Sequence, residues 1–293
     1  MQIKILIIGS RGQLGECLQQ ALGRDFPEAV VVATDIDTLD ATSPAAVGRL
    51  LDGGSFTHII NCAAYTAVDR AESEPQAAAL LNSTIPGVLG RAASRYGCKI
   101  IHISTDYVFD GTGAAPLAED APTGPATVYG MTKLAGENAL LDVAAEHSII
   151  IRTAWLYAAT GKSNFVKTML RLARERDSLS VVADQVGSPT NADDLADAIV
   201  TILKTGRWIP GVYHYVNTGS ANWHDLAVET LRLAEISTPV NAITTDLYPT
   251  AARRPAYSVL GTDRMRAVYP EVALYPWQES LERCIDKINR LNP

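Results

Sequence analysis

Short runs rich in β-branched residues, IKILII, VVVAT, HIINC, KIIHIS and SIIIRT, recur between longer stretches of helical composition from Ile3 to Thr153. That alternation implies parallel strands joined by crossover helices, because a parallel pair cannot be closed by a tight turn. The runs are apolar on both faces, so helices are expected to cover both sides of the sheet. After about residue 155 the pattern loosens, with short strands (LSVVA, GVYHYVN) among Pro-rich loops (RWIPG, LYPTAARRPA, LYPW). The expected plan is an α/β fold with a doubly wound parallel sheet over residues 1–155. Residues 156–293 then form mainly a smaller C-terminal substrate-binding lobe, some segments of which return to the sheet. Ligands are expected in the crevice at the carboxyl ends of the strands.

Composition narrows the partners. The chain has 293 residues, 47% hydrophobic and 19% charged, enough for one large or two modest cores. Its longest early apolar run, IKILIIG, falls far short of the ~20 residues of a membrane helix and lacks the flanks of a secretion signal. Cys17, Cys62, Cys98 and Cys284 are widely spaced with no Cys-x-x-Cys pair, so neither a zinc site nor a disulfide framework is expected and a reducing cytoplasm fits. A formal net charge of −7 without any run of Lys or Arg argues against nucleic acid and anionic membrane as partners.

The first strand runs directly into GSRGQLGECLQQAL, with Gly9, Gly12 and Gly15 spaced G-x-x-G-x-x-G at a strand-to-helix junction. Glycines there permit a tight turn, close approach of backbone to a pyrophosphate, and close helix-on-strand packing, while the helix N-terminus faces the anion. Asp35 ends the second strand about 20 residues on, where a carboxylate can bond the adenosine ribose of NAD. Arg11, inside the loop, could instead meet a 2′-phosphate, so NADH and NADPH both stay open. Small Ala63 and Ala64 after the third strand would let backbone approach the cofactor, and Cys62 beside them reads as a buried small hydrophobe.

Three residues then form a chemical set. Thr105 falls at the end of the fourth strand, in HISTDYVFDG. Tyr129 and Lys133 lie four apart in VYGMTKLAGE, on one face of a helix. Together they could surround a carbonyl group: Lys133 would favour the phenolate and reach the nicotinamide ribose, and Tyr129 would protonate the oxygen as hydride arrives.

The ordered set GSRGQLG, NCAAYTAVDRAE, STDYVFDG, VYGMTKLAGE, RTAWLYA, NFVKTMLRLA and DQVGSPT resembles the dTDP-4-dehydrorhamnose reductase family of extended short-chain dehydrogenases, over nearly the whole chain. The resemblance implies a Rossmann-like fold and NAD(P)H-dependent reduction of the 4-keto group of dTDP-4-dehydro-β-L-rhamnose. It puts the catalytic roles on Thr105, Tyr129 and Lys133, and cofactor contacts on Gln13, Leu14, Asp35, Asp40 and the Ala64-Tyr65-Thr66 segment. Substrate contacts fall on Thr105, Asp106, Trp155 and Arg254. Sugar-nucleotide 4,6-dehydratases carry Thr-Asp-Glu where this chain has Thr105-Asp106-Tyr107, so reduction is the expected chemistry. Some members form a magnesium-bridged dimer through a glutamate where this chain has Cys17. A thiol is a poor ligand for hard Mg²⁺, so no metal is expected, and monomer and homodimer both stay open. Two other readings belong to neighbouring classes: a non-catalytic nucleotide-binding subunit like the methionine adenosyltransferase β subunit, and a nucleotide-sugar epimerase.

Overall fold

The computed structural model describes residues 2–161 and 163–291. Six strands, β1 (Lys4–Ile8), β2 (Val30–Thr34), β3 (His58–Asn61), β4 (Lys99–Thr105), β5 (Ser148–Thr153) and β6 (Gly211–His214), build one parallel sheet in the order β6-β5-β4-β3-β1-β2. The five runs read from the sequence supply β1 to β5, and the sixth strand comes from GVYHYVN in the second half of the chain.

Side chains alternate across this sheet, and both faces find a core. Ile5 and Ile7 point with Ile60, Ile101 and Ile151 into one cluster, closed by Leu18 and Leu22 of α1 (Gln13–Asp25). Later in the chain, Leu195, Ile199 and Ile202 of a helix at Ala192–Thr205 pack into the same cluster. Leu6 and Ile8 point the other way with Ile59, Ile100 and Ile150. There they meet Val47 and Leu51 of α2 (Pro44–Asp52), Val88 and Leu89 of α3 (Ile85–Tyr96), and Leu140 of α4 (Val128–Ala144). Burial on both faces explains why these strands read as continuous apolar runs.

β2 departs from that expectation. It is an edge strand with β1 as its partner, and only Thr34 of its five residues is fully buried, Val30 being 37% exposed. β-branched side chains suit a pleated edge as well as a core, so the run VVVAT does not by itself reveal its position.

A third cluster fills the C-terminal lobe. Val166 and Leu170 of the helix Phe165–Glu175 pack with Leu226 and Leu231 of Trp223–Leu233 and with Leu281 and Ile285 of Trp277–Leu291. A parallel strand pair, Leu179–Val182 with Val240–Ile243, flanks them. No helix among the described residues is long and apolar enough to cross a membrane.

Candidate active site

The order of the sheet reverses at β1, whose neighbours are β2 on one side and β3 on the other. Crossovers then leave on opposite sides and open a crevice at the carboxyl ends of β1 and β3. Gly9 turns there with φ +77°, and a Cβ on it would stand 2.7 Å from the backbone nitrogen of Ala63. A Cβ on Gly15 would stand 2.3 Å from the Gly9 carbonyl. These two glycines therefore serve the packing of the loop. Gly12 differs: its nearest atom would be the Gly9 carbonyl at 3.4 Å, and it caps α1 without any side-chain hydrogen bond. Space beside an uncapped helix N-terminus fits the phosphate chain of a dinucleotide.

Around that cradle stand the other residues read as cofactor contacts. Asp35 Oδ2 accepts the Arg11 backbone N–H at 3.0 Å and Oδ1 accepts that of Ile36 at 2.9 Å. Partial burial pushes the Asp35 carboxyl up, but these N–H groups and the Arg11 charge leave it below its ordinary value. The Arg11 guanidinium bonds Asp37 and lies 3.7 Å from Asp35, so a cation and a carboxylate share the position where the two cofactors differ. Asp40 is exposed and bonds Thr42. Leu14 is buried, which leaves its backbone to face a ligand. Gln13 accepts from Asn164 at 2.8 Å, and Glu16 accepts the Gly161 N–H at 2.9 Å, fastening the loop after residue 157 to α1. Tyr65 donates to Glu74 at 2.6 Å, while Ala63 and Ala64 are half-buried and Thr66 is exposed.

Thr105 ends β4 opposite Thr153, buried, accepting the Tyr107 N–H at 3.2 Å and donating to Asp106 Oδ1 at 3.0 Å. α4 begins one residue before Tyr129, after Thr127, whose Oγ1 caps it by accepting the Gly130 N–H at 3.0 Å. Lys133, one turn on, is 1% exposed and donates to the Ile103 carbonyl at 2.6 Å. Burial lowers its pKa to about 8 against the opposing pull of Glu137 and Cys62. Burial moves the Tyr129 phenol the other way, well above its ordinary value; a hydrogen bond with Thr105 opposes this, and the negative charge of Asp106 adds to it. The bond with Thr105 is what favours the phenolate here, while the Lys133 ammonium is turned to the β4 backbone. Tyr129 thus stays protonated at neutral pH.

Several residues that hold this arrangement carried no signal in the sequence reading. A Cβ on Gly130 would stand 2.2 Å from the Tyr107 carbonyl, and one on Gly136 2.0 Å from the Asn82 carbonyl, so both glycines let α4 approach its neighbours. Asn82, fully buried in a π-helical turn at Leu80–Thr84, accepts the Tyr65 N–H at 2.8 Å and donates to Thr132 at 3.1 Å. It ties the cofactor-side segment to the catalytic helix. Glu72 accepts the Val128 N–H at 2.9 Å, placing a carboxylate at the positive end of α4. The two glycines stand inside VYGMTKLAGE, where only Tyr129 and Lys133 were read, and Asn82 had no local signature.

The substrate side is less uniform. A cavity of about 400 Å³ lies beside the catalytic strand end and is lined by Tyr107, Thr127, Gln185, Tyr248, Arg253 and Arg254 among others. The Tyr107 ring meets that of Tyr129 edge-on at 5.4 Å, which joins this cavity to the reaction centre. Asp106 is buried, its Oδ2 without a hydrogen-bond partner, and burial raises it to about 6 against bonds from Ser258 and Thr105. Trp155 does not line the cavity. It adopts φ +46°, stacks on Trp223 at 3.6 Å, and lies where a Cβ on Gly187 would stand 2.5 Å from its ring. Cys17 is buried with its thiol 3.7 Å from the Thr160 hydroxyl, and burial holds it protonated.

Against known proteins, the family described as the RmlD substrate binding domain matches residues 3–290. A dTDP-4-dehydrorhamnose reductase of Shigella flexneri is 42% identical, over 98% of both chains. The crystal structure of a dTDP-4-dehydrorhamnose reductase of Clostridium acetobutylicum superposes with a TM-score of 0.92 at 39% identity, covering 98% of this chain and 100% of that one. Another, from Bacillus anthracis in complex with NADP, gives 0.92 at 36% identity over the same shares. This chain belongs to the RmlD substrate binding domain family, that of the dTDP-4-dehydrorhamnose reductases.

Proposed function

We propose that the chain reduces the C4 ketone of dTDP-4-dehydro-β-L-rhamnose to the alcohol, giving dTDP-β-L-rhamnose in the last step of its synthesis, with NADPH or NADH as reductant in the cytoplasm. The single observation that carries this is the convergence of Thr105, Tyr129 and Lys133 beside the glycine cradle. The cradle of Gly9 to Gly15, with Asp35, Arg11 and Ala63 to Thr66, is assigned the dinucleotide, which when bound supplies the hydride to C4. Tyr129 gives its proton to the ketone oxygen as the C=O π bond opens, so the product is a neutral alcohol. Keeping the phenol protonated, as burial does, is what a proton donor at neutral pH requires. Thr105 holds the phenol by its hydroxyl, and Lys133 supplies positive charge for the nicotinamide ribose and for the phenolate left after transfer. Arg254 is assigned the diphosphate, since a guanidinium suits bidentate phosphate recognition. Tyr107, in place of the dehydratases' glutamate, offers no carboxylate for elimination.

The test is to mix the purified chain with dTDP-4-dehydro-L-rhamnose and each reduced cofactor and follow loss of cofactor absorbance. Stoichiometric loss with formation of the alcohol is expected. Tight cofactor binding without turnover would favour a regulatory subunit, and turnover without net cofactor loss an epimerase.

A further inference from the structure

Asp69 ties the two halves of the molecule together at the substrate cavity. It stands in the helical turn Val68–Ser73, three residues after Thr66, and each oxygen takes a donor from the far lobe. Oδ1 accepts the Ala252 N–H at 3.0 Å, and Oδ2 accepts Arg254 Nη2 at 2.6 Å. The Arg254 side chain is 20% exposed and that of Asp69 45%, so the pair sits at the cavity wall rather than in free solution. Its inner amino group, Nη1, is buried without a hydrogen-bond partner beside the Tyr107 phenol, whose pKa the guanidinium pulls down against burial. A long cationic side chain left alone loses rotamer entropy when it orders on a ligand. Here one edge of the fork is already fixed, and the loop that carries it is fixed by the same carboxylate.

We propose that Asp69 is a positioning residue for the nucleotide sugar, holding Arg254 and the Ala252 backbone so that the diphosphate meets a pre-oriented charge. This rests on the reading of the cavity as the nucleotide-sugar site. The alternative sign is also physical: Asp69 could instead compete with phosphate for Arg254, and its removal would then tighten binding. The fixed Nη2, the buried Nη1 and the second bond to Ala252 favour positioning.

The experiment compares the full chain with Asp69→Ala, Asp69→Asn, Arg254→Ala and the Ala/Ala double variant. It measures KM and kcat with the 4-keto sugar nucleotide, and calorimetric Kd values for dTDP and for NADPH. Asp69→Ala should raise KM and the dTDP Kd about tenfold, the size of one lost charge-assisted bond, with kcat and the NADPH Kd within about twofold. Asp69→Asn, which keeps an acceptor for Ala252, should fall between. The double variant should match Arg254→Ala alone, because Asp69 acts through Arg254. Unchanged or tighter dTDP binding in Asp69→Ala, or additive losses in the double variant, would overturn the proposal. The two failures separate: if Arg254→Ala is also inert, the cavity reading falls with it, whereas an active Arg254 beside an inert Asp69 removes only this inference. The dTDP arm decides this even if turnover proves to be of another kind.

Discussion

Tyr129 differs from phenylalanine by one hydroxyl, so Tyr129→Phe isolates the proton that the reaction needs. Folding and NADPH binding should persist while kcat falls by ~10²–10⁴, the usual contribution of general acid catalysis; near-normal kcat would show that Tyr129 is not the proton donor. Lys133 makes a pH-dependent case. Its pKa is lowered by burial to about 8, so the ammonium is present below that pH and lost above it. NADPH affinity should therefore hold below about pH 8 and weaken as pH rises through it, and Lys133→Met should bind weakly at every pH with no such step. Fluorescence titration of the cofactor checks this; an identical step in the variant would assign the ionisation elsewhere. The pair was legible because residues four apart on a helix must share a face. Which way Lys133 turns was not, since that depends on the Ile103 carbonyl of another strand, and Trp155 was read without its stacking partner Trp223 for the same reason.

Elements inherit their accuracy from single glycines. In the β1-to-α1 loop, Gly12 has room for a Cβ within the protein, so Gly12→Val should fold. The added side chain would crowd the phosphate, and overpacking of ~1–3 kcal/mol corresponds to an NADPH Kd weaker by roughly five- to 150-fold. An unchanged Kd in the folded variant would move the pyrophosphate elsewhere. Gly130→Ala should behave differently. Its Cβ would stand 2.2 Å from the Tyr107 carbonyl, so α4 must shift, and with it Tyr129. A stability loss of ~1–3 kcal/mol and a lower kcat are expected, with a weaker NADPH Kd as well because α4 also carries Lys133; unchanged stability and kcat would show that the Tyr107 carbonyl gives way instead. Strands β1, β3, β4 and β5 were legible because burial on both faces imposes continuous apolar runs. The exposure of β2 and the π-helical turn at Leu80–Thr84 were not, since neither edge position nor an inserted residue alters the local pattern.

At the scale of the whole molecule, a buried charge network joins α4 to the sheet. Glu137 ends the VYGMTKLAGE segment one turn after Lys133, and its carboxylate takes Arg152 Nε at 3.0 Å and Nη2 at 2.7 Å from β5, with Ser104 of β4 also donating to it. Arg152 Nη1 reaches the Glu119 carbonyl at 3.1 Å, and Glu119 Oε1 accepts the His214 N–H of β6 at 3.2 Å. One network thus spans α4, the strands β4 and β5, and β6, the strand contributed by the second half of the chain. The ordered motifs contain Ser104, Glu137 and Arg152 but neither Glu119 nor His214, and the expected return of later segments to the sheet did not say that Gly211–His214 pairs with β5, because pairing partners are set by the assembled core. Both side chains of the pair are at most 5% exposed, so removing one strands a buried charge. Glu137→Ala should cost ~3–5 kcal/mol in denaturant unfolding, far more than the loss of an exposed ion pair. Replacing both partners by apolar residues of similar volume should recover much of that loss. Glu137 also raises the Lys133 pKa, so in the refolded double variant the step in NADPH affinity should move to lower pH. A step that stays in place while stability falls would show that Glu137 serves the fold without reaching the cofactor.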